Sequence, residues 1–276
     1  VGGAGVTLTA VNDAPVAQNV SASGFEDGAT RIVVTLAGSD VDGTVASYRI
    51  TSPATNGSLY AAASGGVALA VGAVVSGPVF FAPSVNFNGN TSFGYTATDN
   101  NGTVSANTAT ASIAIAAVND APTLGSVAAA ITYTEAATST VTRTLVDTTV
   151  TFADIDSPNL AGGSLTVAIG NVVANQDLLD IRSQGVGVGQ ISVVGTDVRY
   201  NFGSGPVAIG SWAGGTGVTP LVVTFNASAT PVAADALIQN VRYGNSAQLP
   251  NTTPRTLRFT VNDGDGTANG GADTVL

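Results

Sequence analysis

The chain has no histidine, cysteine, methionine or lysine among its 276 residues. All 8 basic residues are arginine, and 16 of the 18 acids are aspartate, with Glu26 and Glu135 the only glutamates. Each absence removes a chemistry. Without His or Cys there is no Ser-His-Asp or Cys-His nucleophile pair, no zinc-finger ligation and little scope for soft metals. Without Lys there is no Schiff base and no P-loop. Zero Cys leaves stability to packed cores or metals, since disulfides are unavailable to it. Charge is also scarce, at 9% of residues against roughly 25% in ordinary soluble domains. Its balance is −10, with a pI near 4.1, which argues against nucleic acid as a partner. The longest apolar run, VALAVGAVV at 67–75, is far short of the ~20 residues a membrane helix needs, so no membrane insertion is expected. With no signal peptide or initiator Met, the sequence reads as a processed product or an excerpt.

What remains is strand-like. The hydrophobic fraction is a normal 44%, too high for a disordered chain, and it comes as Ala, Val, Ile and Leu diluted in Thr, Ser, Asn and Gly. AVNDAP occurs at 10–15 and again at 117–122, 107 residues apart, and a relative, FTVNDGDG, starts at Phe259. That period is about the size of an immunoglobulin-like sandwich. Between the copies, residues 31–36, 47–51, 91–98 and 108–116 are β-branched or alternating runs. Turn clusters at Glu26, Asp40, Ala54, Asn86 and Asp99 separate them. The later unit repeats the scheme with strands ending at Phe152 and starting near Ser164, Gln190, Val198, Leu221 and Arg255. One segment departs from it. Thr230 before Pro231 and good helix formers to Asn240 predict a short capped helix, packing Val232, Ala236 and Leu237 against a sheet. The expected fold is all-β: two tandem Greek-key sandwiches, the second enlarged by that helix.

The expected domains are residues 12–117 and 118–276, preceded by an orphan strand at 1–11. In the first domain the strand ending at Thr98 turns at DNNG and returns as TATASIAIA. In the second, RTLRFTV turns at DGDG and its returning strand is missing or cut short. Gly5, Val6, Thr7, Leu8, Thr9, Ala10 and Val11 stand where the last strand of a preceding domain would stand. A sandwich lacking an edge strand exposes a groove and unpaired backbone groups. Two explanations stand: a covalent neighbour supplies the strand, or a second chain donates it. Both predict a heterologous head-to-tail contact.

The acids cluster at strand ends: Glu26-Asp27, Asp40-x-Asp42, Asp99, Asn119-Asp120, Asp154-x-Asp156 and Asp263-x-Asp265. Asp, Asn and Gly are ordinary turn formers, and oxygen clusters of this kind also hold Ca²⁺; both readings stand. With VNDAPVA, EDG, SDVDG, FAPSVNFNGNTSFGYTATDNNG and SIAIAAVNDAP, the first unit resembles the cadherin-like tandem repeats of large bacterial surface adhesins and RTX-type secreted proteins. The second unit resembles domains that accompany them, through FADIDSPNLAGGSLTV and IQNVRYGN. The resemblance implies extracellular β-sandwiches in a line on the bacterial surface, stiffened by calcium. By position, Asn12, Asp13, Asp40, Asp42 and Asp99 would gather at the leading end of domain one. Asn119, Asp120, Asp154, Asp156 and Asp263 would do so in domain two, with Glu26 a contributor from domain one. The stretch near 86–90 carries amides where cadherins carry acids, which points to one weakly held ion per junction or a hydrogen-bonded linker.

The glycine-rich strings GVGVG at 185 and SWAGGTG at 211 lack the strand, capped helix and Lys of phosphate loops, and read as turns or bulges. Trp212 suits a plug over the core better than a sugar platform. The two glutamates lie in different domains, against a glycosidase pair. The expected function is a non-catalytic structural or adhesive segment assembling head-to-tail with copies of itself or adjacent repeats. The alternatives are a donor-strand filament subunit and a module that binds a cell-surface glycan or protein.

Overall fold

The computed structural model describes residues 3, 5–135, 140–174 and 176–276, so Val1, Gly2 and Ala4 of the expected orphan strand lie outside the described residues. The chain divides into two compact units, Val1–Val118 and Asn119–Leu276.

Unit 1 holds strands β1 (Val16–Gln18), β2 (Val20–Phe25), β3 (Ile32–Val34), β4 (Ala37–Ser39), β5 (Val45–Ser52), β6 (Gly57–Tyr60), β7 (Val74–Val75), β8 (Val79–Pro83), β9 (Gly89–Asp99) and β10 (Ala109–Ala116). They form a five-stranded sheet in the order β2-β10-β9-β5-β7, a three-stranded sheet β3-β8-β6, and the pair β1-β4. Alternation dictates which faces meet. In β10, Ala109, Ala111, Ile113 and Ile115 are buried while the residues between them are exposed. They join Ile50, Phe93 and Tyr95 of the larger sheet in one core with Val34, Leu59, Val79 and Phe81 of the smaller. β2 runs parallel to β10, with Ile113 beside Ala22 and Ile115 beside Gly24. The run at 31–36, expected as one strand, ends at Val34 and resumes as β4, because β3 pairs with β8 and β4 with β1.

Unit 2 holds β11 (Thr123–Gly125), β12 (Thr144–Leu145), β13 (Thr151–Ala153), β14 (Ser164–Gly170), β15 (Asp177–Ile181), β16 (Ile191–Val194), β17 (Asp197–Asn201), β18 (Pro206–Thr216), β19 (Thr219–Phe225), helix α1 (Pro231–Ile238), β20 (Val241–Asn245), β21 (Thr256–Asn262) and β22 (Thr274–Val275). The large sheet runs β12-β20-β15-β18-β19-β14-β21-β22, with β17 on β18 and β16 on β17. Its core includes Leu160, Leu165, Ile191, Ile209, Leu221 and Val261.

Two expectations are corrected here. The helix forms with Thr230 as its cap, accepting the Ala233 N–H at 3.3 Å, but it buries Ala233, Ala234, Leu237 and Ile238 while Val232 stays 65% exposed. Its rotation is fixed by Asp235, whose carboxylate accepts the Phe152 N–H at 2.7 Å. SWAGGTG lies mostly within strand β18. Gly214 and Gly215 there have φ of 79° and 82°, and a side chain would meet the Pro220 and Leu179 carbonyl oxygens at 2.0 and 2.3 Å.

Tyr95 pins the two-stranded pair to the main core of unit 1. Its hydroxyl bonds the Gln18 carbonyl, the Ala37 carbonyl at 3.1 Å and the Ala37 N–H at 3.1 Å. Tyr95→Phe removes all three at once and is expected to cost about 1–3 kcal/mol in urea unfolding. An unchanged midpoint would show that the ring alone matters.

Candidate functional site

Each unit opens on an Asn-Asp-Ala-Pro segment, and in each the Asn side chain reaches the acid that ends a long strand. In unit 1, Asn12 Nδ2 donates to Asp99 Oδ2 at 2.7 Å and to Thr103 Oγ1 at 2.9 Å. Asp99, the last residue of β9, also accepts the N–H groups of Asn101 at 2.9 Å and Thr103 at 2.7 Å. In unit 2, Asn119 Nδ2 donates to Asp263 Oδ2 at 3.1 Å and to the carbonyls of Gly266 and Ala272 at 3.2 and 2.7 Å. Asp263 accepts the Asp265 N–H at 2.9 Å. The second linker residue is held the same way: the Asp13 N–H donates to Asp42 at 3.1 Å, and the Asp120 N–H to Asp156 at 3.1 Å.

The local cause is turn chemistry. An Asp at a strand end bonds backbone N–H groups two residues on and shapes the turn. That leaves its second oxygen facing the linker amide. In unit 2 the turn also needs Gly264, whose φ is 95° and where a Cβ would lie 2.4 Å from the Ala161 carbonyl oxygen. The structure thus brings together Asn12, Asp13, Asp42 and Asp99 in one set, and Asn119, Asp120, Asp156 and Asp263 in another. Asp40 and Asp154 flank these sets, each with one buried oxygen lacking a hydrogen-bond partner among the described residues.

Glu26 does something different. It is buried, accepts from Asn88 Nδ2 at 3.3 Å and from the Val118 N–H at 3.1 Å, and its own N–H donates to the Ala116 carbonyl. It ties down the end of β10 inside unit 1. Asn88, in the stretch where amides replace acids, is its partner.

The two clasps differ electrostatically. The Asn12 amide, with the Thr103 and Asn101 N–H groups, holds Asp99 below its ordinary pKa against the opposing effect of burial. Burial pushes Asp263 up, helped by the nearby charges of Asp265 and Asp273. Asp154 is raised to about 6, first by burial, then by the Asp156 carboxylate beside it and the charge of Asp263. For calcium, the test is whether the oxygens are free to turn on an ion. Among the described residues no group of three acidic side chains is placed to hold a metal, and Asp42, Asp99, Asp156 and Asp263 already accept N–H groups. A multi-ion cage does not fit these side chains. Among the described residues Asp154, with an unpartnered oxygen and a raised pKa, is a place where a cation would relieve an existing cost.

A second polar centre escaped sequence reasoning. Asp177 is fully buried and accepts from Tyr243 Oη at 2.5 Å, Asn245 Nδ2 at 2.8 Å, Arg255 Nε at 2.8 Å and the Val173 N–H at 2.6 Å. Burial raises its pKa, but these four bonds outweigh it and hold the carboxyl below the ordinary value. Tyr243 is pushed up to about 12 by burial and by Asp177. The signal was parity. In DLLDI the buried positions are Asp177, Leu179 and Ile181, so a charge stands on the core face of a strand and requires a partner there. Trp212, in strand β18, is partly buried against the unit 2 core, and its Nε1 donates to the Gly195 carbonyl at 3.4 Å.

Residues 12–115, less than half of the chain and all within unit 1, match the family described as Bacterial Ig domain. The finer cadherin-like resemblance is not carried by that match. No curated protein matches the chain. A similar solved structure is titled "Structural basis for the promiscuous specificity of the carbohydrate-binding modules from the beta-sandwich super family". It is 13% identical, covers 92% of this chain and 98% of its own, and has a TM-score of 0.24. At that score it lends no weight to a glycan-binding reading. No helix among the described residues is long and apolar enough to cross a membrane.

Two predictions follow from these carboxylates. Asn119→Ala leaves Asp263 buried with one bond fewer and is expected to cost about 2 kcal/mol in urea unfolding; a cost under about 0.5 would show the clasp idle. The pH profile has two limbs. Asp154, raised from 3.8 to about 6, and Asp263, also raised, contribute stability that is present below about pH 4 and lost as pH rises through their folded values, about 6 for Asp154. Asp99, Asp147 and Asp177 are lowered, so their contribution is present above the ordinary carboxylate pKa and lost as pH falls below it. Melting temperature should peak near about pH 4–5, and Asp154→Asn should flatten the fall toward pH 7 while leaving the acid limb. An unaltered neutral limb in that variant would contradict the assignment.

Proposed function

We propose that the chain is a non-catalytic structural segment of a bacterial surface or secreted protein, in which Ig-like units follow one another head to tail. The observation that supports this most is the repeated clasp. Both units fix their leading Asn-Asp segment to their own strand-end acid by the same bonds, Asn12 to Asp99 and Asn119 to Asp263. A linker tied to the unit it leads is what a series of load-bearing modules requires. Bacterial Ig-like domains serve as surface or extracellular modules, which agrees with the match over residues 12–115.

Calcium enters this reading at one place, Asp154 with Asp156, as a weakly held ion. A cation there competes with the proton that Asp154 binds near pH 6. Millimolar Ca²⁺ is therefore expected to raise the melting temperature at pH 7 and to do so less at pH 5, with the increment lost in Asp154→Asn. Equal melting in EDTA and Ca²⁺ at pH 7 would reduce these acids to turn formers.

Location is tested separately. Antibodies to the chain should label intact producing cells or their medium, and external protease should remove the cell-bound signal. Labelling that appears only after permeabilisation would defeat the reading.

A further inference from the structure

Residues 61–73 join β6 to β7, and the first part of this loop stands clear of unit 1. Residues 61–68 are all exposed, Val67 to 87%. Among the described residues they make no backbone–backbone hydrogen bond. A side chain at Gly65 or Gly66 would meet nothing within 4 Å. The span is closed at both ends. Tyr60 pairs with Phe80 at the end of β6, and the Leu69 N–H donates to the Leu59 carbonyl at 2.7 Å. Arg31 holds the first half: its guanidinium lies 3.3 Å from the Tyr60 ring centre, and its Nη1 donates to the Ala62 and Gly65 carbonyls at 2.8 Å each. Beyond Gly65 no such tie is made before Leu69 among the described residues. An exposed loop of small residues on a closed scaffold is where a protease engages a folded chain.

Composition selects the kind of protease. No charged side chain lies between Arg49 and Asp99, and the next basic residue after Arg49 is Arg143. An enzyme that reads a cation or a carboxylate finds nothing to grip in this loop. Ala61, Ala62, Ala63, Val67 and Ala68 suit one whose specificity pocket is small and apolar. Two other exposed stretches are tied down. In the loop at 185–189 the Gly185 N–H donates to the Ile191 carbonyl and the Gly187 N–H to Gln190 Oε1, while the Val186 carbonyl accepts Asn201 Nδ2 at 2.6 Å. In the linker the Val118 N–H is held by Glu26 and the Asp120 N–H by Asp156.

A cut within 61–68 divides unit 1 into two pieces, β1–β6 and β7–β10, whose strands alternate in the fold. β2 lies on β10 over six residue pairs, β5 lies between β9 and β7, and β3 and β6 flank β8. β1 and β4 pair with each other, but Tyr95 and Asn107 of the second piece bond Gln18, Ala37 and Ala17 of the first. One core mixes Val34, Ile50 and Leu59 with Val79, Phe81 and Ile113. The bonds from Asn12 to Asp99 and from Val118 to Glu26 also join the two pieces. Neither half of unit 1 has a core of its own.

We propose that residues 61–68 are a processing site for a protease selective for small aliphatic residues, and that unit 1 stays assembled after the cut. Hydrolysis of one peptide bond takes up one water and leaves a carboxylate on one piece and an ammonium on the other. No strand pairing, clasp or core contact is lost. The covalent path through unit 1 is lost, and the residues before the cut are then attached by the sandwich alone. Folding of the unit becomes bimolecular, so its stability depends on concentration. This goes beyond the modular reading and does not depend on it.

The test uses the full chain and pancreatic elastase under native conditions. Mass spectrometry should find new termini within 61–68, the earliest after Val67 or Ala68, with any trimming ahead of Asn12 read separately. The two pieces should run apart on a denaturing gel and together in gel filtration, at the volume of the intact chain. The nicked unit should melt below the intact one, and its melting temperature should rise by roughly 6–8 °C for each tenfold in concentration, against no change for the intact chain. Replacing Ala61, Ala62, Ala63, Val67 and Ala68 by Asp, all at exposed positions, should abolish the cut and leave the melting temperature of the uncut chain unchanged. An uncut unit 1, first cuts of unit 1 outside 61–68, or cutting that persists in the substituted loop would each overturn the proposal. So would pieces that separate without denaturant, or a nicked unit whose melting ignores concentration.

Discussion

Everything distinctive in this chain depends on one bond used twice: a linker asparagine donating to the aspartate at the end of a long strand. A buried carboxylate is costly without partners. Here the cost is offset locally, by N–H groups of the turn on one oxygen and the linker amide on the other. With neither His nor Lys in the chain, amides and backbone N–H groups provide most of the donors for its 16 aspartates. The scarcity of charge and the abundance of Asn and Asp are two sides of that economy. The linker is held by the unit it leads.

The second unit shows what happens when the scheme is loaded further. It adds strands and a helix, and with them Asp177 and its ring of Tyr243, Asn245 and Arg255. Such a centre stabilises only as a complete set, because removing one partner strands a buried charge. Near its clasp, Asp154 and Asp263 titrate high, chiefly because they are buried and secondarily because of the neighbouring carboxylates, Asp156 and Asp263 for the first and Asp265 and Asp273 for the second. Unit 1, with Asp99 drawn down by its donors, is the relaxed version of the same device. In unit 1 the hydrogen bonds to Asp99 outweigh burial, and in unit 2 burial and the neighbouring carboxylates outweigh the hydrogen bonds to Asp263.

Much of this was legible in the sequence, for reasons that can be named. The repeated Asn-Asp and the strand-end acids both stand out in the sequence, but they lie 87 residues apart in unit 1 and 144 in unit 2, so it is the family resemblance and not spacing that groups them. TATASIAIA alternates cleanly, and β10 buries the expected residues. The helix cap at Thr230 was readable, but its buried face was not, because Asp235 bonding the Phe152 N–H sets the rotation. SWAGGTG read as a turn or a bulge because its glycines lead into no capped helix; in the structure Gly214 and Gly215, at positive φ, let β18 pass its neighbours' backbones. Strands such as β15 and β20 were overlooked, since DLLDI and VRYGN place polar residues on core-facing positions that only a tertiary partner accommodates. Acid clustering left two readings open, one weakly held calcium ion per junction or a hydrogen-bonded linker, and in the structure these carboxylates accept N–H groups.

The central claim is that the linker amide and the strand-end carboxylate stabilise each other directly. A double-mutant cycle between Asn12 and Asp99 measures this, using Asn12→Ala, Asp99→Asn and the pair, each unfolded in urea. A coupling of about 1–2 kcal/mol is predicted, as for a hydrogen bond to a charged group. Additive single changes, with coupling below about 0.3 kcal/mol, would contradict the account.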